Sequence, residues 1–588
     1  MNVLGISSFY HNSSACLVRD GDIIAAAQEE RFSRKKHDPS FPSNAISYCL
    51  EEGDISAGEI DEIVFYDKPF VKFERILNTF LSDVPRGYFS FLKAMPVWIK
   101  KKIWVKDLIQ SELDIKKDIL FTEHHESHAA SAFFPSPFTR AAFLTMDGVG
   151  EWATASYGIG EGNKVRITGE MLFPHSIGLL YSAFTYYTGF KVNSGEYKMM
   201  GLAAYGQPVY RDLILDKIID LKDDGSFSMD MSYFEYLTGN RMTNKKFNDL
   251  FGGPPRREEG EITRRYMDIA ASIQQVTEEI ILKMVNHVHT ETGCEDLCLA
   301  GGVSLNCVAN GRILREGPFK RLWIQPASGD AGAALGAALF GWFQYLDRPR
   351  RPAGMCDMQR GSCLGPSYGR ETIRKVLEEN SGSIRYRQLK KEELIERSVD
   401  LINEGKVLGW FQGRMEFGPR ALGNRSIIAD PRVEKMNEII NRRVKFREVF
   451  RPFAPSVLRE KANEYFEIDT ESPYMLLVAP VRPEVRSGTD VAAEFSYAGW
   501  KKAGKTAIPA VTHVDNTARI HTVSREDNPL FYDLISRFDA KTGCPLLINT
   551  SFNVRGEPIV RTPREAVMCF LRTDMDFLVI GDFLVDKI

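Results

Sequence analysis

Four side chains of metal-binding type stand out. His124 and His128 lie in TEHHESHAASAF, an Ala-rich segment suited to helix. At i, i+4 both imidazoles leave one helix face, with Cβ atoms about 5–6 Å apart. That spacing lets both rings reach one ion. His125 and His128, at i, i+3, form a competing pair. Asp147 follows the apolar run AAFLTM and precedes Gly148 and Gly150, and Asp330 follows RLWIQPASG and opens a Gly/Ala segment. Either aspartate alone reads as a helix N-cap or a turn former. As a set the four read as a His/Asp site, and two imidazoles with carboxylates and open positions suit Fe(II), Zn or Mn.

A second group consists of glycine turns. Gly301 and Gly302, in AGGVSLN with Asn306, sit where an apolar strand pattern gives way to a helical one. Glycines there let a ligand approach the backbone, and a helix N-terminus favours phosphate or a ribose oxygen. SGDAGAALG supplies another such turn. His11 in SFYHNSSA and Lys36 in RFSRKKHD are polar residues placed to hold phosphate or acyl groups, although Lys36 alone belongs to a solvated charge run.

The third group is cationic. Between Phe411 and Arg451 there are ten Lys/Arg against five Asp/Glu, in a chain of net charge −3. FGPRALGNRS places Arg420 in a turn. KFREVFRPFAPS reads as an alternating, strand-like stretch that carries Lys445, Arg447 and Arg451. Residues two apart on a strand share a face. Guanidinium groups clamp phosphate bidentately, and lysine adds a point charge. Arg519 in DNTARIHTV, with Asn549, Ser551 and Asn553 in INTSFN, completes the expected cradle.

These residues need an α/β framework. VLGIS, SACLV and DIIAAA are short β runs with Asp20-Gly21 as a hairpin turn, and AAFLTMD, ATASYGI and VRITGEM repeat the pattern. Two such units predict an internally duplicated domain on the actin/sugar-kinase plan. Apolar residues at steps of three or four predict a core helix over 262–288, stopped by Gly293. DRPRRPAG at 347–354 marks a break. The expected domains are 1–352 and 386–588, joined by a connector at 353–385. In the second, a helix over 391–404 ends at Gly405, and Thr562-Pro563-Arg564-Glu565 is a capping box.

Composition narrows the function. Of 588 residues 44% are hydrophobic and 26% charged, as expected of a globular protein. The net charge offers no global basis for a nucleic-acid partner. Nine scattered cysteines without C-x-x-C spacing exclude zinc knuckles and disulfide scaffolds and fit a reducing cytoplasm. No signal peptide is expected, and lysines at 100, 101, 102 and 106 keep the aromatic stretch 88–109 from spanning a membrane. A surface lid or interface helix is the expectation for that stretch.

In order along the chain, GISSFYHNSSACLV, EERFSRKKHD, HHESHAASAFF, TMDGVGEW, SGEYKMMGLAAYG, AGGVSLNC, SGDAGAALGAAL, FGPRALGNRSI, KFREVFRPFAPS and NTSFNVRGEPIV resemble the nodulation-protein/cephalosporin carbamoyltransferase family. Its members decorate antibiotics and nodulation factors. The resemblance implies an N-terminal domain similar to the threonylcarbamoyl transferases and a C-terminal YrdC-like domain. It implies iron on His124, His128, Asp147 and Asp330, a transfer site lined by His11 and Lys36, and adenylate on Gly301, Gly302 and Asn306. Lys445-Phe446-Arg447 and Ser551-Phe552-Asn553 match the K-x-R and S-x-N signatures; with Arg420, Arg451, Arg519 and Asn549 they would bind carbamoyl phosphate and ATP, the latter with Mg.

The resemblance further implies a small-molecule hydroxyl acceptor, no nucleic acid and no membrane. A homodimer is one expectation for assembly. The rival readings are a tRNA threonylcarbamoylation enzyme, a hydrogenase-maturation carbamoyltransferase and a non-enzymatic ATP-driven chaperone.

Overall fold

The computed structural model describes residues 1–83, 87–351, 357–486 and 506–588. The chain packs as two compact units: Met1–Glu29 with His37–Met358, and Glu30–Lys36 with Gln359–Ile588. Residues 30–36, expected in the first domain, thus belong to the second unit. Residues 352–354 of the expected break lie outside the described residues. Part of the expected connector is regular structure of the second unit, namely the helix Arg370–Glu379 and the strand Ile384–Gln388.

The first unit contains one strand plan twice. Strands β1 (Asn2–Ser7), β2 (Ser14–Arg19), β3 (Asp22–Gln28), β4 (Glu62–Phe65) and β5 (Ile119–Phe121) form a sheet in the order β3-β2-β1-β4-β5. The first three strands are antiparallel, and β4 and β5 run parallel to β1. The second sheet repeats this order: Arg140–Met146 pairs antiparallel with Ala153–Glu161, which pairs with Lys164–Leu172. Asp296–Ala300 and Arg321–Ile324 add parallel strands on the other side. This is the duplicated actin/sugar-kinase-like plan. The cause is local: Asp20, Gly21 and Gly162 turn hairpins at positive φ, and the parallel strands carry apolar residues after a polar first position in Glu62–Phe65, Asp296–Ala300 and Arg321–Ile324.

In each copy the fifth strand leads into a helix, His124–Phe133 in one and Asp330–Leu339 in the other. Small residues let the two helices and β1 meet. A Cβ on Gly336 would stand 1.8 Å from the Ser127 carbonyl oxygen, and one on Gly5 would stand 1.9 Å from that of Ala334. The run SGDAGAALGAAL is therefore a packing surface as well as a turn. The expected core helix spans Arg264–Thr292, with Ile269, Ile273, Val276, Ile280 and Val288 buried, and Gly293 caps it at φ 58°. Segment 88–109 contains two short helical stretches, Tyr88–Val97 and Trp98–Lys102, before a helix at Val105–Leu113. Among the described residues no helix is long and apolar enough to cross a membrane.

The second unit is built on a nine-stranded mixed sheet. At its centre Arg425–Ala429 pairs antiparallel with Leu546–Ser551, which pairs antiparallel with Ala454–Leu458. The helix expected at 391–404 spans Lys391–Asn403, and the capping box of Thr562 and Glu565 starts the helix Pro563–Leu571. One expectation fails here: residues 445–451 are no strand. A helical turn ends at Val444, Phe446 takes φ 48°, and backbone bonds run from Arg447 N–H to Asn441 O and from Arg451 N–H to Glu448 O. Leaving a helix needs a reversal, and the strand begins only at Ala454.

Candidate active site

The four expected metal ligands meet in the first unit. One ligand atom from each of His124, His128, Asp147 and Asp330 lies within 4.8 Å of all the others. The Nε2 atoms of His124 and His128 are 3.1 Å apart and lie 3.0 and 3.3 Å from Asp147 Oδ2. Asp330 Oδ1 is 3.8 and 3.9 Å from the same nitrogens. His125 points elsewhere, with Nδ1 2.8 Å from Thr145 Oγ1, which removes the competing pair.

The donor set fits a divalent cation. Both Nδ1 atoms and Asp330 Oδ1 are buried without a hydrogen-bond partner. Two neutral imidazoles with Nε2 atoms in contact share at most one proton there. Otherwise both rings place N–H groups against each other. At least one Nδ1–H is then buried without an acceptor, whichever tautomer the other ring takes. A cation facing both Nε2 lone pairs and the carboxylates resolves the contact. Burial holds the His124 imidazole well below its ordinary pKa, opposed by its bond to Asp147. Burial also works against ionising Asp147, but the neighbouring His124 and His128 outweigh it and hold its carboxyl well below the usual range. Asp330 goes the other way: burial raises it, with neighbouring His11 opposing the rise.

Glycines shape this floor. A Cβ on Gly302 would stand 3.0 Å from Asp147 Oδ1, and one on Gly150 would stand 2.9 Å from His124 Cβ. Gly301 has φ +85°, and its Cβ would stand 2.2 Å from the Met146 carbonyl oxygen. The glycine pair expected to receive a nucleotide therefore also fits round a ligand aspartate. Asn306 caps the helix Cys307–Glu316 by accepting from Ala309 N–H. Its amide also exchanges two 3.1 Å hydrogen bonds with Gln274, and Gln274 accepts from Tyr181. No sequence spacing signals that partnership.

His11 joins the cluster: its Nδ1 lies 3.6 Å from Asp330 Oδ2. The Asn12 amide donates to His11 Nδ1 at 3.2 Å, and Asn12 Oδ1 accepts from His37 Nδ1 at 2.7 Å. That chain orients the His11 ring with its proton on Nε2. Lys36, expected beside His11, falls in the segment 30–36 that groups with the second unit.

In the second unit Lys445 is the centre of the cationic group. It is 2% exposed, and Nζ donates to Ser551 O at 2.6 Å, Ser551 Oγ at 3.3 Å and Asn553 Oδ1 at 2.6 Å. All three acceptors are neutral. Burial pushes the ammonium well below its ordinary pKa, and the nearby charges of Arg447, Arg451 and Lys36 push the same way. A buried lysine among cations, whose ammonium donates only to neutral oxygens here, has the charge and setting to take an anion.

Of the other expected residues, Arg447 and Arg451 act on its charge, and the rest lie elsewhere in this unit. Arg447 donates from Nε to Asn441 Oδ1 at 2.6 Å and lies over the Phe453 ring. Arg451 faces Glu448 at 3.9 Å, and Asn441 holds its carbonyl. Asn549 is 1% exposed and donates to Ala421 O, next to Arg420, and to Ser456 Oγ. Ser456 Oγ also contacts His521 Nδ1 at 2.7 Å, and Arg519 lies two residues earlier on that strand. Residues two apart share a strand face, so Arg519 belongs to this side.

Two residues of this unit escaped sequence reading. Glu416 Oε1 accepts from the N–H groups of Leu422, Asn424 and Arg425, tying down the turn that carries Arg420. Arg425 is fully buried, donates to the carbonyls of Gln412, Asn424, Pro366 and Gly413, and stacks 3.7 Å from the Phe411 ring centroid. Both lie in the block that named Arg420, but only long-range partners separate an anchor from a ligand.

The family model described as carbamoyltransferase N-terminus matches residues 2–339, and that described as carbamoyltransferase C-terminus matches 399–587. A Synechocystis sp. protein named only as uncharacterized is 57% identical over 100% of this chain and 97% of its own length. Nodulation protein NolNO of Sinorhizobium fredii is 37% identical over 99% of this chain and 80% of its own. Nodulation protein NolO of Bradyrhizobium diazoefficiens is 38% identical over 79% of this chain and 78% of its own.

Proposed function

Because this chain belongs to the carbamoyltransferase family, we propose that its two units divide the reaction, one making an activated carbamoyl group and the other passing it to a hydroxyl. The chain is a transferase enzyme, which sets aside the non-enzymatic reading. What carries the division is that the His/Asp cluster and the buried Lys445 group fall in different compact units.

In the second unit the ligands are carbamoyl phosphate and ATP with Mg. Water cleaves carbamoyl phosphate to carbamate and phosphate. A carbamate oxygen then attacks the α-phosphorus of ATP, a P–O bond forms, and pyrophosphate leaves to give carbamoyl-adenylate. Lys445, Arg447, Arg451, Arg420 and Arg519 bind the phosphoryl oxygens and spread the charge that builds on them. Ser551 and Asn553 aim the Lys445 ammonium. Asn549 holds the Arg420 turn. Burial keeps water from the labile carbamate.

In the first unit the acceptor oxygen attacks the carbamoyl carbon, the C–O bond to AMP breaks, and the hydroxyl proton is released. His124, His128, Asp147 and Asp330 would hold Fe(II) or another divalent ion, which when bound supplies Lewis acidity. With its proton on Nε2, His11 donates a hydrogen bond to oxygen, which suits stabilising the carbonyl or the departing phosphate. Gly301 and Gly302 let the adenylate approach the backbone, and Asn306 positions that turn through its cap. The acceptor is a small natural-product or sugar-like alcohol.

Two single variants test the division. Arg451→Ala is expected to abolish pyrophosphate release that depends on carbamoyl phosphate while sparing transfer from supplied carbamoyl-adenylate. His128→Ala is expected to do the reverse. Loss of the same half-reaction in both variants refutes the division.

A further inference from the structure

Arg75, in the first unit, is 8% exposed, and its Nε is buried without a hydrogen-bond partner. Its guanidinium lies 4.9 Å from the Phe173 ring centroid, and no carboxylate among the described residues pairs with it. Burying a guanidinium without acceptors opposes folding strongly. The acidic groups of this region are already engaged. Asp67 takes the Lys72 ammonium at 2.6 Å, with both side chains buried. Glu151 accepts from Lys68 N–H at 2.8 Å and from His124 N–H at 3.1 and 3.2 Å.

A second cation stands close by. Arg75 follows Lys72 by one turn of the helix Pro69–Ser82, so both side chains leave one face. Lys72 Nζ lies 3.8 Å from the Tyr10 ring centroid, and Lys102 Nζ lies 4.2 Å from the same centroid and 5.2 Å from that of Trp98. Lys102 is half-buried, and no carboxylate among the described residues pairs with it either. Burial pushes Arg75 down to about 10 and Lys102 to about 8, so both keep their charge at neutral pH.

This cluster adjoins the metal ligands. Tyr10 precedes His11, whose Nδ1 is 3.6 Å from Asp330 Oδ2. Lys72 Nζ lies 5.6 Å from the Tyr66 ring centroid, and that ring packs 5.4 Å from the His124 ring. Lys72, Arg75 and Lys102 all come from the crossover between β4 and β5 of the first sheet, whereas Gly301 and Gly302 follow a strand of the second. The cations therefore belong to a different element from the turn assigned to adenylate. A guanidinium fork and an ammonium beside aromatic rings match a carboxylate, sulfate or phosphate oxygen set on a small molecule.

We propose that Arg75 and Lys102 form a recognition site for an anionic group on the acceptor, a carboxylate, sulfate ester or phosphate ester, while the acceptor hydroxyl faces the His/Asp cluster. The inference rests on the reading of the first unit as the transfer half, and it narrows the acceptor from a sugar-like alcohol to an acidic one.

The test uses the full chain with supplied carbamoyl-adenylate and a small-molecule extract divided by anion exchange. Products heavier by one carbamoyl group are expected from the retained, anionic fraction. Arg75→Met should raise the KM for that acceptor on the order of tenfold, leaving the KM for carbamoyl-adenylate near wild type. Arg75→Lys should restore part of the loss, and Lys102→Met should show a smaller one. The melting temperature of Arg75→Met should hold or rise, because a desolvated charge is gone. Calorimetric titration with sulfate, in saturating AMP, should show one sulfate fewer bound by Arg75→Met than by wild type.

If only unretained compounds are carbamoylated, or Arg75→Met binds as much sulfate as wild type, no acidic acceptor is held there. A lower melting temperature with an unchanged acceptor KM makes Arg75 a packing residue against Phe173, and a raised KM for carbamoyl-adenylate gives the cations to the donor; either result overturns the proposal. If no fraction yields a product while sulfate binding still depends on Arg75, the hydroxyl-transfer reading is wrong, and the assignment to an acceptor goes with it.

Discussion

His11 and Asp147 occupy equivalent places in the two copies of one motif. Each lies in the loop between the first and second strands of its sheet, His11 after Asn2–Ser7 and Asp147 after Arg140–Met146. His124 and Asp330 are related in the same way, since each begins the helix that follows the fifth strand. The duplicated fold thus points two loops and two helix N-termini at one spot. Different side chains at equivalent places give three candidate ligands and His11 beside them.

Metal removal is the first consequence. Treatment with a strong chelator, followed by its removal and return of Mg, is expected to abolish transfer from supplied carbamoyl-adenylate, spare pyrophosphate release, and lower the melting temperature of the first unit, because an ion bound only by the folded state stabilises it. Elemental analysis against recovered activity on adding back Fe(II), Zn or Mn would identify the working ion.

Gly302→Ala should act on that site without unfolding the protein. Its Cβ would lie 3.0 Å from Asp147 Oδ1, so the carboxylate must shift by a few tenths of an ångström. Metal affinity is expected to fall on the order of tenfold, as for other perturbations next to a ligand. Gly301→Ala is a different case, with φ +85° and a backbone oxygen 2.2 Å from the new Cβ; the expected result is poor folding. Metal content and thermal melts would separate the two.

Lys445 should show a trade between stability and activity. Lys445→Met removes a desolvated charge of similar length, so apo-protein stability is expected to hold or rise while pyrophosphate release is lost. The ammonium's folded pKa lies well below the ordinary 10.5, so over that interval the unfolded chain holds a proton that the folded one lacks. Wild-type stability should therefore climb as pH rises toward 10.5, by up to about 1.4 kcal/mol per pH unit. The variant should lack that slope in denaturant titrations.

His521 predicts an acid limit for the second unit. Burial pushes its imidazole down to about 3. Above pH 6.5 neither state is protonated and nothing is lost. Between 6.5 and about 3 only the unfolded state takes the proton, at about 1.4 kcal/mol per pH unit. His521→Gln is expected to be less stable at pH 7 but to lose less on going to pH 5.

Arg425→Met should be among the most damaging changes in the chain outside the chemistry. It removes a guanidinium that serves four carbonyl oxygens and leaves them buried, at a cost of about 3–5 kcal/mol. Soluble yield and melting temperature would register it. Arg420→Ala should leave both unchanged and lose activity.

Much of the molecule follows from short-range pattern. The i, i+4 imidazoles, the apolar stripe of Arg264–Thr292 with its glycine stop, the Thr562–Glu565 box and the repeated hairpins are set within a few residues. One turn of helix or one strand pair is enough to dictate them. The same holds for the residue types of both sites, whose chemistry belongs to the side chains themselves. Placement was decided by partners far away in the chain. Segment 30–36 groups with the second unit because Arg31 and Arg34 find carbonyls 387 and 525 residues on. Asn306 turns to Gln274, Arg425 goes inside, and 445–451 forms turns where alternation predicted a strand. A hydrogen bond across folded elements depends on which groups would otherwise be buried unpaired, and only the assembled tertiary structure determines that.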